Sequence, residues 1–158
     1  MSEPHGLDTD AQVFFYEQDF YPLSNFSAFQ LWWRHRTFAT SEHAYHWEKF
    51  MGRPDIQERV AFAKSAHEAF KVAESHAAHV RPGWKEDRVM MMRQIIRAKA
   101  EQHEYVRRKL LATGERELIE NSWRDSFWGW GPNRDGVNQL GKLWMELRAE
   151  LRAGGAVR

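Results

Sequence analysis

Cysteine is absent from this chain, which removes disulfides, thiol nucleophiles and cysteine-based zinc sites from consideration. The absence fits a reducing compartment. Long apolar runs are also missing: none approaches the roughly 20 residues of a membrane helix. The polar opening MSEPHGLDTD carries no signal-peptide core, so the expected location is cytoplasmic and no membrane is expected as a partner. Excess charge of either sign is scarce. The formal net charge is +1, which argues against holding long nucleic acid by bulk electrostatics. No P-loop, no glycine-rich strand-to-helix turn and no G-x-S-x-G elbow occurs.

What remains is rich in aromatics, with eight tryptophans and ten phenylalanines. A length of 158 residues with 42% hydrophobic content is that of one soluble globular domain with a sizeable core. We expect residues 1–10 to be disordered, a domain over 11–152, and a frayed tail over 153–158. Residues 12–16 and 30–38 read as short strands around a turn-prone YPLSNFS segment. Thr40 and Ser41 offer an N-cap for a helix over about 42–51, ended by Gly52. Helices follow over 56–62 and 68–78. A long one over about 85–112 has Met91, Ile95, Ala98, Leu110 and Leu111 on one side. Residues 118–120 form a short extended or helical piece. The last helix, 140–151, turns Leu143, Trp144, Leu147 and Leu151 inward. The fold class is therefore mainly α (α+β): a single compact helical domain with a small antiparallel sheet near the N-terminus.

The segment 125–141, DSFWGWGPNRDGVNQLG, is the most distinctive stretch. Its four glycines and Pro132 exclude a core strand or a helix, so it is a loop. A loop holding two tryptophans should fold onto something flat. A carboxylate beside indoles suits recognition of a base or sugar, and a rigid loop closing the core is the plainer alternative.

Glu42, Tyr45, His46 and Lys49 are spaced to share one helix face. An acid in the first turn is favoured in its ionised form by the helix dipole, by about 0.3–1 kcal/mol. Lys49 could hold a phosphate or hydroxyl, or act as an amine nucleophile if desolvated. The pairs His43/His46 and His76/His79 have chelating spacing, but no third ligand is in view, so no metal and no cofactor is expected. Between Arg81 and Lys109 nine bases face four acids, which is either a solvated face or a phosphate-binding one.

The segments FFYEQDFYPLSNF (14–26), TSEHAYHWEKF (40–50), RPGW (81–84) and the 125–141 loop stand in order. With MMMRQIIRAKAEQH (90–103) and LLATGERELIE (110–120) between them, the chain resembles the NADAR family over about residues 14–151. The resemblance implies an N-glycosidase that cleaves ribose–nitrogen bonds. Two substrate classes come with it: early ribosylated pyrimidine intermediates of riboflavin synthesis, and ADP-ribose on guanine in DNA or RNA. By motif, Glu42, Lys49 and Asp125 are the catalytic candidates. Asn25, Arg81, Trp84, Trp128 and Asn138 are the substrate-binding ones. His46 and Glu48 depart from the family, where glutamines are frequent. Ala73–Glu74 replaces a common Gly-Arg pair, which bears on which phosphates are recognised.

Breaking such a bond develops positive charge on the ribose and negative charge on the departing nitrogen. O-glycosidases meet this with two carboxylates, and Glu42 and Asp125 are the matching pair here. One would stabilise the oxocarbenium-like carbon and activate water, the other would protonate or orient the base. Trp84 and Trp128 would stack on the ligand, each contributing on the order of 1–3 kcal/mol. Lys49 would be an electrostatic contact or a Schiff-base nucleophile toward a ring-opened sugar. Two other classes fit the same residues: a non-catalytic NAD- or ADP-ribose-binding module, and an interaction protein using Trp130 as an interface.

Overall fold

The computed structural model describes residues 8–16 and 18–154, so the expected disorder of 1–7 and the fraying of 155–158 lie outside the described residues. Among the described residues are six α-helices and two sheets of two strands each, an α+β fold that is mainly helical. No described helix is long and apolar enough to cross a membrane. The chain forms two compact units, one from Asn25–Gln102 and one from the segments on either side of it.

The middle unit begins with the strands β2 (Leu31–Trp33) and β3 (Arg36–Phe38), which follow β1 (Gln12–Phe15) in the chain and pair antiparallel. Residues 30–38, expected as one strand, are a hairpin. Its two turn residues, Arg34 and His35, both take positive φ, at 51° and 65°. Neither is Asn or Gly, so the usual hairpin signature is missing. Arg34 is held instead by Glu48, whose Oε1 accepts from Arg34 Nε at 2.9 Å and Trp33 Nε1 at 2.6 Å. Helix α1 (Ser41–Glu48) starts where expected: the Thr40 side chain accepts from His43 N. Helices α2 (Pro54–Ala61) and α3 (Ala66–Ser75) pack on it, burying Phe50, Ile56, Val60, Ala69 and Ala73 together. Pro54 at the first position starts α2 and Ser65 caps α3 through Glu68 N.

The expected 85–112 helix is two: α4 (Trp84–Gln102) and α5 (Glu104–Ala112). No Gly or Pro marks the break. His103 is extended there, at φ −129° and ψ 103°. Gln102 supplies a tertiary reason: its side chain bonds both the N–H and the C=O of Trp32, at 2.8 Å each. The buried stripe of α4 runs Met91, Met92, Ile95, Ile96, Lys99, Ala100, with Ala98 only half-buried. Leu111, expected inside, is 42% exposed. Lys99 is fully buried and donates to Ser27 Oγ at 2.7 Å. The run of bases is thus not one surface.

Burial pushes the Lys99 ammonium down to about 7. In the unfolded chain it titrates near 10.4. Between these values the unfolded chain binds the proton and the fold does not, so stability rises with pH across that window and is level below it. We expect the wild type to gain about 2 kcal/mol from pH 7 to pH 9 relative to Lys99→Met, read by urea denaturation at each pH. Identical pH dependence in the two proteins would refute a buried, depressed lysine.

The terminal unit contains β1 (Gln12–Phe15), a 3₁₀ segment (Gln18–Leu23), α5, β4 (Glu117–Glu120) and α6 (Gln139–Arg152). β1 and β4 pair in parallel, Val13 opposite Leu118 and Phe14 opposite Ile119. Residues 118–120 are therefore a strand. Asp8, expected to be disordered, accepts from Phe14 N at 2.8 Å. In α6 Leu143, Trp144 and Leu147 are buried as expected, and Trp144 Nε1 donates to Leu23 O at 3.0 Å; Leu151 is half-buried.

Candidate active site

Helix α1 organises the middle unit's share of the predicted residues. Asn25 braces its start: the Asn25 carbonyl accepts from Glu42 N at 3.1 Å, and its side-chain oxygen from Ser41 Oγ at 3.1 Å. Nδ2 of Asn25 reaches Met92 Sδ at 3.4 Å. Glu42 stands in the first turn, where the helix dipole favours an anion. One turn on, His46 Nε2 lies 2.6 Å from Glu42 Oε1. Lys49 caps the helix C-terminus, its Nζ 5.1 Å from the Tyr45 ring centroid. Tyr45 in turn packs on Trp84 with ring centroids 5.2 Å apart.

Arg81 ties the end of α1 to the start of α4. Its N–H donates to Lys49 O at 2.8 Å and its Nε to Glu48 O at 3.2 Å. Nη1 pairs with Asp87 at 3.0 Å, and the guanidinium covers the Trp84 ring at 5.1 Å. Asn25, Glu42, Lys49, Arg81 and Trp84, far apart in sequence, thus meet around α1. His43 has a separate, structural position: Nδ1 lies 2.8 Å from Thr40 Oγ1 and Nε2 3.0 Å from Ala63 O. Among the described residues no three His, Cys, Asp or Glu side chains gather as metal ligands.

Asp125, Trp128 and Asn138 belong to the terminal unit. Oδ1 of Asp125 accepts from Phe127 N at 2.9 Å and Trp128 N at 2.7 Å, an Asx-type turn that shapes the loop. Trp128 is buried with its ring edge-on to Phe127 at 4.8 Å. The loop does fold onto an aromatic surface: Trp130 lies 4.7 Å from Phe14 and donates to Asn121 Oδ1. Backbone bonds from Val137, Asn138, Gln139 and Leu140 to the carbonyls of Ser126, Gly129, Phe127 and Trp128 hold its two arms together. Asn138 takes the left-handed conformation, at φ 56°, just before α6. Its amide spends both ends on β4, accepting from Glu120 N at 3.0 Å and donating to Leu118 O at 2.8 Å. That is a structural staple, which the G-x-N-x-L-G spacing alone did not disclose.

Sequence reasoning placed His46 on the helix face with Glu42 but gave it no role; the i, i+4 spacing was the available signal. Nothing in the sequence pointed to the Asp125 turn except Asp two residues before the first N–H it receives.

Comparison with known proteins follows the same residues. The NADAR domain family model matches residues 14–152. The chain is 34% identical over 144 residues to N-glycosidase YbiA of Shigella boydii, covering 91% of this chain and 89% of that one. It is 36% identical over 148 residues to a riboflavin biosynthesis protein of Vibrio vulnificus, covering 89% of this chain and 38% of that longer protein. The NMR structure of the Escherichia coli protein YbiA superposes with a TM-score of 0.82 at 33% identity, covering 94% of this chain and 89% of that one. A motif order, a fold and a family model that coincide over nearly the whole chain lead to one conclusion: this protein belongs to the NADAR domain family.

Proposed function

We propose that this chain is an N-glycosidase that hydrolyses a ribose–nitrogen bond in a nucleotide-type substrate. The observation that carries the reading is Glu42: a shielded carboxylate at a helix N-terminus, with Tyr45 and Lys49 on the same helix face and Trp84 of α4 packed on Tyr45. The names of the relatives, N-glycosidase and riboflavin biosynthesis protein, support it. In the reaction the C1′–N bond breaks and its electron pair leaves with the nitrogen. Water adds its oxygen to C1′, and its proton ends on the released base. Glu42 lowers the energy of the cationic carbon and receives the water's proton. Lys49 supplies fixed positive charge for phosphate or hydroxyl oxygens. Trp84 is buried beside Tyr45 and under the Arg81 guanidinium, and stacking on a substrate requires that guanidinium to swing off its ring. Asp125 and Trp128 enter on the family motif.

The test is product analysis by mass spectrometry with two substrates, an ADP-ribosyl-guanine oligonucleotide and an early ribosylated pyrimidine intermediate of riboflavin synthesis. Release of unmodified guanine in the oligonucleotide identifies ADP-ribose as the group removed. Cleavage of the pyrimidine alone identifies the riboflavin branch. With neither cleaved, and ADP-ribose still raising the melting temperature, the protein is a binding module and the enzyme reading is wrong.

A further inference from the structure

The pairing of Glu42 with His46 has chemical content beyond an ion pair. Nε2 of the imidazole lies 2.6 Å from Oε1 of the carboxylate, and both side chains are nearly shut off from solvent. The other ring nitrogen, Nδ1, is buried without a hydrogen-bond partner. Aromatic rings flank the imidazole, Tyr45 at 5.2 Å and Phe70 of α3 at 5.8 Å, both edge-on.

The orphan nitrogen decides between protonation states. An imidazolium has two N–H donors, so Nδ1–H would be a buried donor carrying part of a charge with nothing to receive it. A neutral ring protonated on Nε2 leaves only a lone pair unmatched at Nδ1. It keeps the short bond to the carboxylate. Burial holds the ring below the ordinary histidine range and outweighs the upward pull of Glu42, while Lys49 and His43 lower it further. Glu42 and His43 are on α1 and Lys49 is its C-cap. From α3 the ring meets Phe70, beside which His67 stacks. The ionisable side chains of α2 are engaged elsewhere: Asp55 with Arg53, Glu58 with Arg36, Arg59 with His76. At the start of α4, Asp87 pairs with Arg81.

We propose that His46 is the positioning residue of Glu42, a neutral imidazole whose Nε2–H donates to the carboxylate and fixes its rotamer. The catalytic part of this inference rests on the N-glycosidase reading; the hydrogen bond rests on geometry alone. It assigns Glu42 to the anionic task, facing the positive charge on the ribose carbon and taking the proton of water; the base leaves without help from Glu42 and collects that proton afterwards through solvent. It also defines what the position requires: an N–H donor on a well-packed side chain. Glutamine meets that requirement without titrating, and leucine does not.

The test uses the intact protein with ¹⁵N-labelled histidine and ¹³C-carboxyl-labelled glutamate, as wild type, His46→Gln and His46→Leu. At pH 7 the ¹⁵N shifts of His46 should be those of a neutral ring protonated on Nε2. Without the donor, the Glu42 carboxyl ¹³C signal should move and broaden in His46→Leu as the rotamer loosens, and return toward the wild-type position in His46→Gln. In turnover, His46→Leu should lose roughly 10–100-fold in kcat with KM nearly unchanged. His46→Gln should recover most of the loss. A ring protonated on Nδ1 or on both nitrogens, an unmoved Glu42 carboxyl signal in His46→Leu, or a glutamine variant as impaired as the leucine one would each overturn the proposal. The wild-type ¹⁵N spectrum and the glutamine variant decide it even where His46→Leu folds poorly. A wild type that cleaves no nucleotide substrate defeats the glycosidase reading instead, and the ¹⁵N and ¹³C shifts still decide the hydrogen bond.

Discussion

Glu42→Gln should fold and melt within a few degrees of the wild type while its turnover falls by about 10²–10⁴-fold. The glutamine carbonyl still accepts from His46 Nε2, and the Asn25 and Ser41 bonds at the start of α1 do not involve the Glu42 side chain. What disappears is the negative charge. Its loss removes a dipole interaction of about 0.3–1 kcal/mol, set against the cost of shielding an anion that no longer needs paying. Ligand affinity should stay within a few-fold, because the Tyr45–Trp84 pair and the charge of Lys49 are untouched. Comparing kcat with ligand affinity by calorimetry in the two proteins is the check. A variant that turns over as fast as the wild type would remove Glu42 from the reaction.

Gly141→Ala should be the most damaging single methyl group in the terminal unit. Gly141 sits in the first turn of α6, and a Cβ there would collide with the carbonyl oxygen of Leu118 and come within 2.5 Å of Asn138 Nδ2. The first obstacle is strand backbone, so no side-chain rotation relieves it. Room can be made only by moving α6 off β4, which strains the two Asn138 bonds to that strand. Overpacking and the weakened staple together should cost roughly 4 kcal/mol, lowering the melting temperature by about 10 °C. Thermal denaturation followed by circular dichroism reads this directly. A change below about 1 kcal/mol would show that the helix and strand are not in backbone contact. By contrast Gly52 and Gly114 meet nothing within 4 Å, and a Cβ at either meets strain from positive φ without a collision.

The helical character of the fold was legible because its signals are local. Thr40, Pro54 and Ser65 start helices where capping chemistry places them, and Leu143, Trp144 and Leu147 show the inward face of α6. The misses are all decided by distant partners. The break at His103 coincides with Gln102 bonding Trp32, seventy residues away. The Arg34–His35 turn depends on Glu48 more than on its own residue types. Lys99 reads as a surface base until Ser27 and the surrounding core are in place. The parallel pairing of β1 with β4 has no sequence signature, since two four-residue strands carry no register of their own.

The site was legible to a similar depth. Spacing alone put Glu42, Tyr45, His46 and Lys49 on one face, and the structure keeps them there. The motifs did not reveal how Asp125 and Asn138 are used within the terminal unit. Each binds backbone amides or carbonyls of its own unit, so part of the motif's character is the making of a loop.

The pairing of β1 with β4 also sets a timetable for the nascent chain. Gln12 meets Glu117 across 105 residues of sequence. At roughly 5–20 residues per second, β1 is made about 5–20 s before its partner strand. During that interval Val13, Phe14 and Phe15, all buried in the finished protein, have no strand to pair with. The whole of Asn25–Gln102 is synthesised in the meantime. An arrest series that stalls translation before and after Glu120 should therefore show β1 protected from proteolysis only in the longer chains.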